Sequence, residues 1–184
     1  MSFAVTPDEL LRAFGPSGVV YFPRHASSDS RLDARTAQFL SQVGLPDEQY
    51  FMSKASVGSQ ESINLAAWFR AKDDTLPEQC RSWLVLAYFA ASLIALDPES
   101  GKVYEFGEGE PLASYRQLHR DVESLVHVLH LFQAFTEHER DDDADIEQQV
   151  EQLRARIETF DALPFAYDRS QWNLVLDEVI EGIW

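Results

Sequence analysis

The sequence contains a single cysteine, Cys80, among its 184 residues. A lone cysteine excludes an internal disulfide framework. No apolar run approaches the roughly 20 residues that a membrane-spanning helix needs. The first residues also lack the basic region and apolar segment of an export signal. Together these absences predict a protein of the reducing cytoplasm.

Positive charge is also scarce, since 15 lysines and arginines face 31 aspartates and glutamates and leave a net charge of −16. Such a balance argues against binding to nucleic acid or anionic lipid, because phosphate groups are recognised by cations. It is compatible with attraction of a basic partner protein. It is equally compatible with an acidic surface that only keeps the protein in solution.

Hydrophobic residues make up 45% of the chain and aromatic residues 12%, which is enough for a packed globular core. The length predicts one domain over residues 1–184. Strands are grouped in the middle and helices at both ends, so the predicted class is α+β, with residues 121–184 as a helical C-terminal portion.

The centre of the chain predicts an antiparallel meander. Trp83–Phe89 is an unbroken apolar run typical of a strand that is buried on both faces. Ser92–Asp97 forms a second run and Lys102–Phe106 a third. Between them, the segment from Asp97 through Pro98 to Gly101 has the residue types of a tight turn.

Helices are predicted on both sides of the meander. Thr6 is placed to cap a helix that stops at Gly15, and a second helix covers Asp33–Val43. Val19–Phe22 and Tyr50–Ala55 are predicted strands, Ser62–Phe69 is a strand or a short helix, and Pro77–Arg81 is a helical turn. After Arg120, apolar spacing predicts helices from Asp121, over Ala144–Phe160 and from Ser170, the last with Trp172, Val175, Val179, Ile180 and Ile183 on its inner side.

The sequence shows no motif for catalysis, a cofactor or a metal. It has no nucleophile elbow, phosphate-binding glycine loop or paired-cysteine zinc motif. Asp141, Asp143 and Asp145 imitate the start of a calcium loop, but Ile146 stands where the loop requires glycine. A solvated acidic run is therefore the favoured interpretation.

The remaining reactive side chains favour ordinary structural roles. His127 and His130 are three residues apart on a predicted helix, which suits packing or surface positions better than a metal pair. Cys80 is expected to be a half-buried small residue rather than a nucleophile. His119 and Arg120 are expected to be surface loop residues, with anion binding at the following helix start as the alternative.

Five segments, in order, carry a resemblance to a known family: Gly18–Pro23, Phe39–Pro46, Trp83–Tyr104, His127–Phe132 and Trp172–Trp184. With them the chain resembles the SUKH superfamily of bacterial immunity proteins, in particular its fourth family. The resemblance implies a mixed sheet with helices packed around it. It also implies a non-catalytic antitoxin that binds a polymorphic secreted toxin, often a nuclease or a nucleic-acid deaminase.

We expect the partner to be a basic protein toxin, with no direct contact to nucleic acid or membrane. The predicted interface is made of acidic loop residues beside the meander and in the later connection: Glu108, Glu110, Glu139, Asp141, Asp142 and Asp143. Two alternatives stay open. One is a regulatory scaffold or adaptor of the same superfamily that holds a cellular protein, and the other is a small hydrolase with unrecognised carboxylates.

Overall fold

The computed structural model describes residues 3–22, 32–53, 64–69, 75–137 and 146–184. These ranges contain six α-helices and seven strands. The helices are α1 Pro7–Phe14, α2 Ala34–Gln42, α3 Leu65–Trp68, α4 Val122–Glu137, α5 Ile146–Phe160 and α6 Gln171–Ile180. The strands are β1 Val19–Val20, β2 Leu45–Pro46, β3 Phe51–Ser53, β4 Leu84–Phe89, β5 Ser92–Leu96, β6 Val103–Gly107 and β7 Arg116–His119.

The main sheet has five antiparallel strands in the order β3-β4-β5-β6-β7, and β1 pairs with β2 in a separate two-stranded sheet. The predicted meander and the α+β class are confirmed. Strand β7 was not predicted, because its Arg116-Gln117-Leu118-His119 sequence lacks a clear apolar alternation. It pairs with β6 through Tyr104 opposite Gln117 and Glu105 opposite Arg116.

Strand β4 is buried on both faces of the sheet, as its apolar run predicts. The pairing with β5 shifts register between Val85 and Ala87. Such a bulge lets two consecutive side chains turn to the same face. Leu86 and Ala87 accordingly both belong to the core on one face, whereas Val85 and Tyr88 belong to the cluster on the other.

The predicted ends of the first two helices are confirmed. At α1, the Thr6 hydroxyl accepts from the Glu9 amide and the Glu9 carboxylate accepts from the Thr6 amide, which forms a capping box. Asp33 caps α2. After α2, Gly44 adopts a φ of 84°. A Cβ there would lie 2.7 Å from the Val20 carbonyl oxygen, so only glycine fits this turn.

The inner face of the main sheet carries the larger core. Helices α1, α2, α4, α5 and α6 all place buried side chains in it. Trp172 of α6 is fully buried, with its ring centroid 4.5 Å from that of Phe89 and 5.7 Å from that of Phe132. The prediction for the end of α6 was wrong, since Ile180 and Ile183 are 36% and 66% exposed. The helix ends at Ile180, so helical spacing no longer orients the residues that follow.

Among the described residues, fewer elements cover the outer face of the sheet. It is packed by α3 and by the segment 75–83, which includes the predicted turn at Glu78–Cys80. Leu65, Leu76 and Cys80 lie buried over Leu93 and the other outward residues of the sheet. Helix α3 also settles the open choice at Ser62–Phe69 in favour of a short helix.

Strand β3 is the edge strand beside β4, and its own loop covers its outward side. The Phe51 amide and carbonyl bond to the carbonyl and amide of Glu48 at 3.1 and 3.0 Å. The Ser53 amide donates to the Asp47 carboxylate at 2.9 Å. Three backbone groups that point away from the sheet are thus satisfied within the chain.

Candidate protein-binding surface

Glu108 lies in the connection between β6 and β7, where its side chain is exposed to solvent. Its backbone amide donates to the Ala91 carbonyl at 2.9 Å, which ties the loop to the turn between β4 and β5. The carboxylate is therefore carried on a backbone that is fixed to the end of the sheet. This position agrees with its expected place beside the meander.

Glu110 lies in the same loop but is less available to a partner. Its carboxylate forms a salt bridge of 3.0 Å with Arg116, and both side chains are 28% exposed. The pair joins the loop to β7 and neutralises the charge of Glu110 locally. Of the two carboxylates, Glu108 is thus the better candidate for an intermolecular contact.

The other predicted interface residues, Glu139, Asp141, Asp142 and Asp143, lie outside the described residues, as do Asp145 and the connection that contains it. The charged-connection hypothesis for this part of the chain stays a prediction.

The outer side of the sheet carries an aromatic surface that the sequence reasoning did not single out. We call it the aromatic face and define it by five exposed or partly exposed side chains: Met52, Trp68, Tyr88, Tyr104 and Tyr115. Met52 is 44% exposed and lies opposite Tyr88 in the pairing of β3 with β4. The ring centroid of Trp68 is 5.9 Å from that of Tyr88.

Beneath these residues, Trp83 and Phe106 are buried and form the centre of an aromatic cluster. Trp83 stacks on Tyr104 at 4.2 Å with an interplanar angle of 22°, and meets Tyr115 edge-on at 5.2 Å. The Gln79 side-chain amide donates to the Tyr115 hydroxyl at 3.0 Å. The face is therefore held rigidly, since aromatic pairs at these distances stabilise one another.

A period-two reading of β6 could have found part of this face. In Val103-Tyr104-Glu105-Phe106, alternate residues point to opposite sides of a strand. Tyr104 and Phe106 therefore share the outer side, while Val103 and Glu105 share the inner one. The Trp68 and Tyr115 contributions come from separate segments and depend on the tertiary fold.

His119 is not a surface loop residue, so that expectation was wrong. It ends β7 and is fully buried. The Trp172 indole donates to its Nε2 at 2.9 Å. Because an indole N–H is only a donor, Nε2 must accept, and the proton lies on Nδ1. Arg120, by contrast, is exposed and packs over the Phe160 ring at 4.3 Å.

The His119 Nδ1 continues a buried chain of hydrogen bonds. It lies 3.1 Å from the Ser124 hydroxyl, which donates to the Asp161 carboxylate at 2.5 Å. Asp161 also accepts from the backbone amides of Arg120 and Leu163. Burial holds the pKa of His119 well below its ordinary value, and Asp161 only partly offsets this. Burial raises the pKa of Asp161, but its hydrogen bonds outweigh that effect and lower it.

The types His, Ser and Asp suggest a hydrolase, but the geometry does not fit one. The Ser124 hydroxyl gives its proton to Asp161 rather than to the imidazole, and its side chain is fully buried. The second imidazole nitrogen is held by Trp172. A nucleophile needs a base that can take its proton and a path to substrate. The arrangement instead joins β7, α4 and α6 at one buried point.

Two concavities also lack the features of an active site. A groove of about 340 Å³ between α4 and α5 is lined by apolar and amide side chains with Arg156 as its charged group. A second, of about 250 Å³, lies between the starts of α2 and α4. Its carboxylates are already engaged: Asp33 and Asp121 accept from helix-start amides, and Glu123 binds Arg35.

Within the described ranges, no group of three or more metal-binding side chains comes together. His127 packs against Phe160 at 4.2 Å, in keeping with a packing role. Burial lowers the pKa of both His127 and His130. Cys80 is fully buried rather than half-buried, and burial raises the pKa of its thiol. None of the described helices combines the length and apolar composition needed to cross a membrane.

The fold and this surface define an α+β domain in which a helix-backed sheet carries an aromatic face beside an acidic loop. The family model of the SUKH-4 immunity protein matches residues 5–178. The chain therefore belongs to the SUKH-4 immunity protein family, as its resemblance predicts. No curated protein and no solved structure matches the chain.

Proposed function

We propose that the protein neutralises a cognate polymorphic toxin in the cytoplasm of the producing bacterium by binding it, without a reaction of its own. Its place in an immunity protein family over nearly the whole chain carries the proposal. The toxin is a nuclease or a nucleic-acid deaminase, because such enzymes need a basic site for their substrate and an acidic inhibitor can occupy it.

The distribution of charge supports an acidic binding surface. Residues 121–184 contain 16 of the 31 acidic residues but only 4 of the 15 basic ones. Several of these carboxylates are exposed on the helical layer, among them Glu147, Glu151, Glu158 and Asp177. A field of this sign accelerates the approach of a basic protein. Glu108 adds a fixed carboxylate at the end of the sheet.

Co-expression tests the proposal directly. The toxin encoded beside this gene is expressed in a sensitive host with and without this protein, and survival is scored. We expect survival only when both are present. Loss of viability in both cases would contradict the immunity role, and capture of a housekeeping protein in place of the toxin would favour the scaffold alternative.

The charge of the interface is tested with purified proteins. Raising salt from about 0.1 M to about 1 M shortens the Debye length from about 10 Å to about 3 Å. We expect the association rate with the toxin to fall steeply over this range. Binding that is strong but indifferent to salt would show that the acidic surface does not guide recognition.

A further inference from the structure

Among the described residues, the aromatic face combines exposed apolar surface with a closely packed aromatic support. Met52 is 44% exposed although Phe51 beside it is fully buried. Beneath the face, Trp83 and Phe106 are each 5% exposed, so the partly exposed rings rest on a closed layer. Interfaces concentrate their binding energy in such aromatic centres.

Three carboxylates lie around this face. The Glu78 side chain is 90% exposed on the turn that also carries Gln79, the hydrogen-bond partner of Tyr115. Asp97 lies within electrostatic reach of Tyr104. Glu108 lies at the end of the sheet, where its backbone amide donates to the Ala91 carbonyl.

Within the described part of these segments, both guanidinium groups are paired with carboxylates. Arg81 is held by Glu78 at 2.9 Å and Arg116 by Glu110 at 3.0 Å. Each of these pairs is close to neutral. The turn between β5 and β6 carries two carboxylates, Asp97 and Glu99, against the single cation Lys102. A net negative charge therefore remains at this turn and at Glu108, at the two ends of the sheet.

We propose that the aromatic face is where the toxin docks, and that it receives an arginine or lysine side chain from the basic surface of that toxin. This rests on the proposed function and assigns its contact surface. A cation over a tyrosine or tryptophan ring is attracted by the negative face of the ring. Nearby carboxylates strengthen that attraction and exclude a partner with an acidic surface. The distant acidic helices then set the encounter rate, and the aromatic face sets the lifetime of the complex.

A charge placed at Met52 tests the docking position. Met52→Lys adds a cation to an exposed site on the face, and Tyr167→Lys adds the same charge to a residue of similar exposure, 43%, outside the aromatic face. We expect Met52→Lys to raise Kd at least about tenfold more than Tyr167→Lys, because like charges in an interface repel. Met52→Glu is expected to bind at least as well as the unmodified chain.

The aromatic contact is tested with Tyr104→Leu, which removes the ring but keeps apolar bulk, against Tyr167→Leu. Dissociation rates are measured by surface plasmon resonance with the adjacent-gene toxin, after circular dichroism has confirmed folding. We expect Tyr104→Leu alone to speed dissociation, by about tenfold. If Tyr104→Leu does not fold, the comparison of Met52→Lys with Tyr167→Lys tests the docking site instead.

The outcomes separate the two proposals. If the unmodified chain does not bind the toxin, the proposed function is wrong and the docking site falls with it. If the unmodified chain binds but Met52→Lys and Tyr167→Lys weaken binding equally, only total charge matters and the docking site is wrong. Unchanged dissociation of a folded Tyr104→Leu variant would also overturn it.

Discussion

The two faces of the main sheet differ in how they are covered. Five helices bury the inner face under a large, mainly aliphatic core. Of the described residues, one four-residue helix and the segment 75–83 pack on the outer face, where aromatic rings stay partly exposed. We expect the inner face to provide most of the stability, and the outer face is the one to which we assign contact with the toxin.

Two adjacent residues of β5 test this division with the largest expected effect. Ile94 points into the inner core and is fully buried, whereas Leu93 points to the outer layer and is 4% exposed. We expect Ile94→Ala to lower the free energy of unfolding by about 2–5 kcal/mol, because the helices cannot close the cavity. Leu93→Ala is expected to cost less, about 2 kcal/mol at the lower end of the same range, since a thinner layer relaxes more easily around the cavity.

Urea unfolding followed by circular dichroism measures both variants. An equal loss of stability would mean that the outer layer is packed as firmly as the inner core, and the proposed division would fail.

The buried hydrogen-bond chain of His119 predicts that the free energy of unfolding depends on pH. The folded pKa of His119 is lowered, so the unfolded chain binds its proton more readily. Its contribution to stability is complete above the ordinary histidine pKa of about 6.5 and is lost progressively as pH falls below it. His119→Gln is expected to cost about 1–3 kcal/mol at pH 7.5, because Trp172 and Ser124 lose their partner.

The loss caused by His119→Gln should shrink as the pH is lowered from 7.5 to 5, as measured by urea midpoints. Glu105 has a raised pKa through burial and acts with the opposite sign, so the variant is judged against the unmodified chain at each pH. His130→Gln is the comparison: burial lowers the pKa of His130 as well, but its side chain is only partly buried, so its loss should change less with pH than that of His119→Gln. A constant loss at every pH would contradict the assignment.

The turn between β4 and β5 offers a stabilising change that touches neither face. Ala90 has a φ of 46°, a left-handed conformation that glycine adopts more easily. We expect Ala90→Gly to raise the free energy of unfolding by about 0.5–1 kcal/mol. Its neighbour Ala91 has no positive φ, so Ala91→Gly should be neutral or slightly destabilising. Stabilisation by both, or by neither, would show that the turn stores no strain.

The smallest effect on stability is expected at the acidic loop. Glu108 is exposed, so Glu108→Gln should change the free energy of unfolding by less than about 0.5 kcal/mol. Glu110→Gln removes the bridge to Arg116 and should cost up to about 1 kcal/mol. In the toxin association assay we expect the opposite ranking of the two variants. Glu108→Gln should reduce the salt dependence of the association rate more than Glu110→Gln does. The same order in both assays would contradict the assignment of Glu108 to the contact surface.

Local chemistry explains which parts of the fold could be predicted. The capping box at Thr6 and the turn at Asp97–Gly101 depend on neighbours within a few residues. The burial of His119 depends on Trp172 and Asp161, which are distant in sequence, so its polar character misled the prediction. Strand β7 is short and polar, and β6 completes it.

The candidate site also has parts that local sequence predicts and parts that depend on the tertiary fold. Glu108 and Glu110 follow the predicted meander directly, and their place could be foreseen. Their difference in availability could not, because Arg116 lies on a strand that the pattern does not reveal. The aromatic face joins Met52, Trp68 and Tyr115 from three segments, and only the fold brings them together.

The covered edge of β3 limits how another chain can attach there. An open edge strand recruits foreign strands through its backbone, and this leads either to peptide capture or to fibrous aggregation. Asp47 and Glu48 occupy the outward backbone groups of Phe51 and Ser53 instead. A molecule that approaches Met52 therefore contacts side chains and cannot add a strand at these backbone groups. Its recognition then depends on the shape and charge of those side chains.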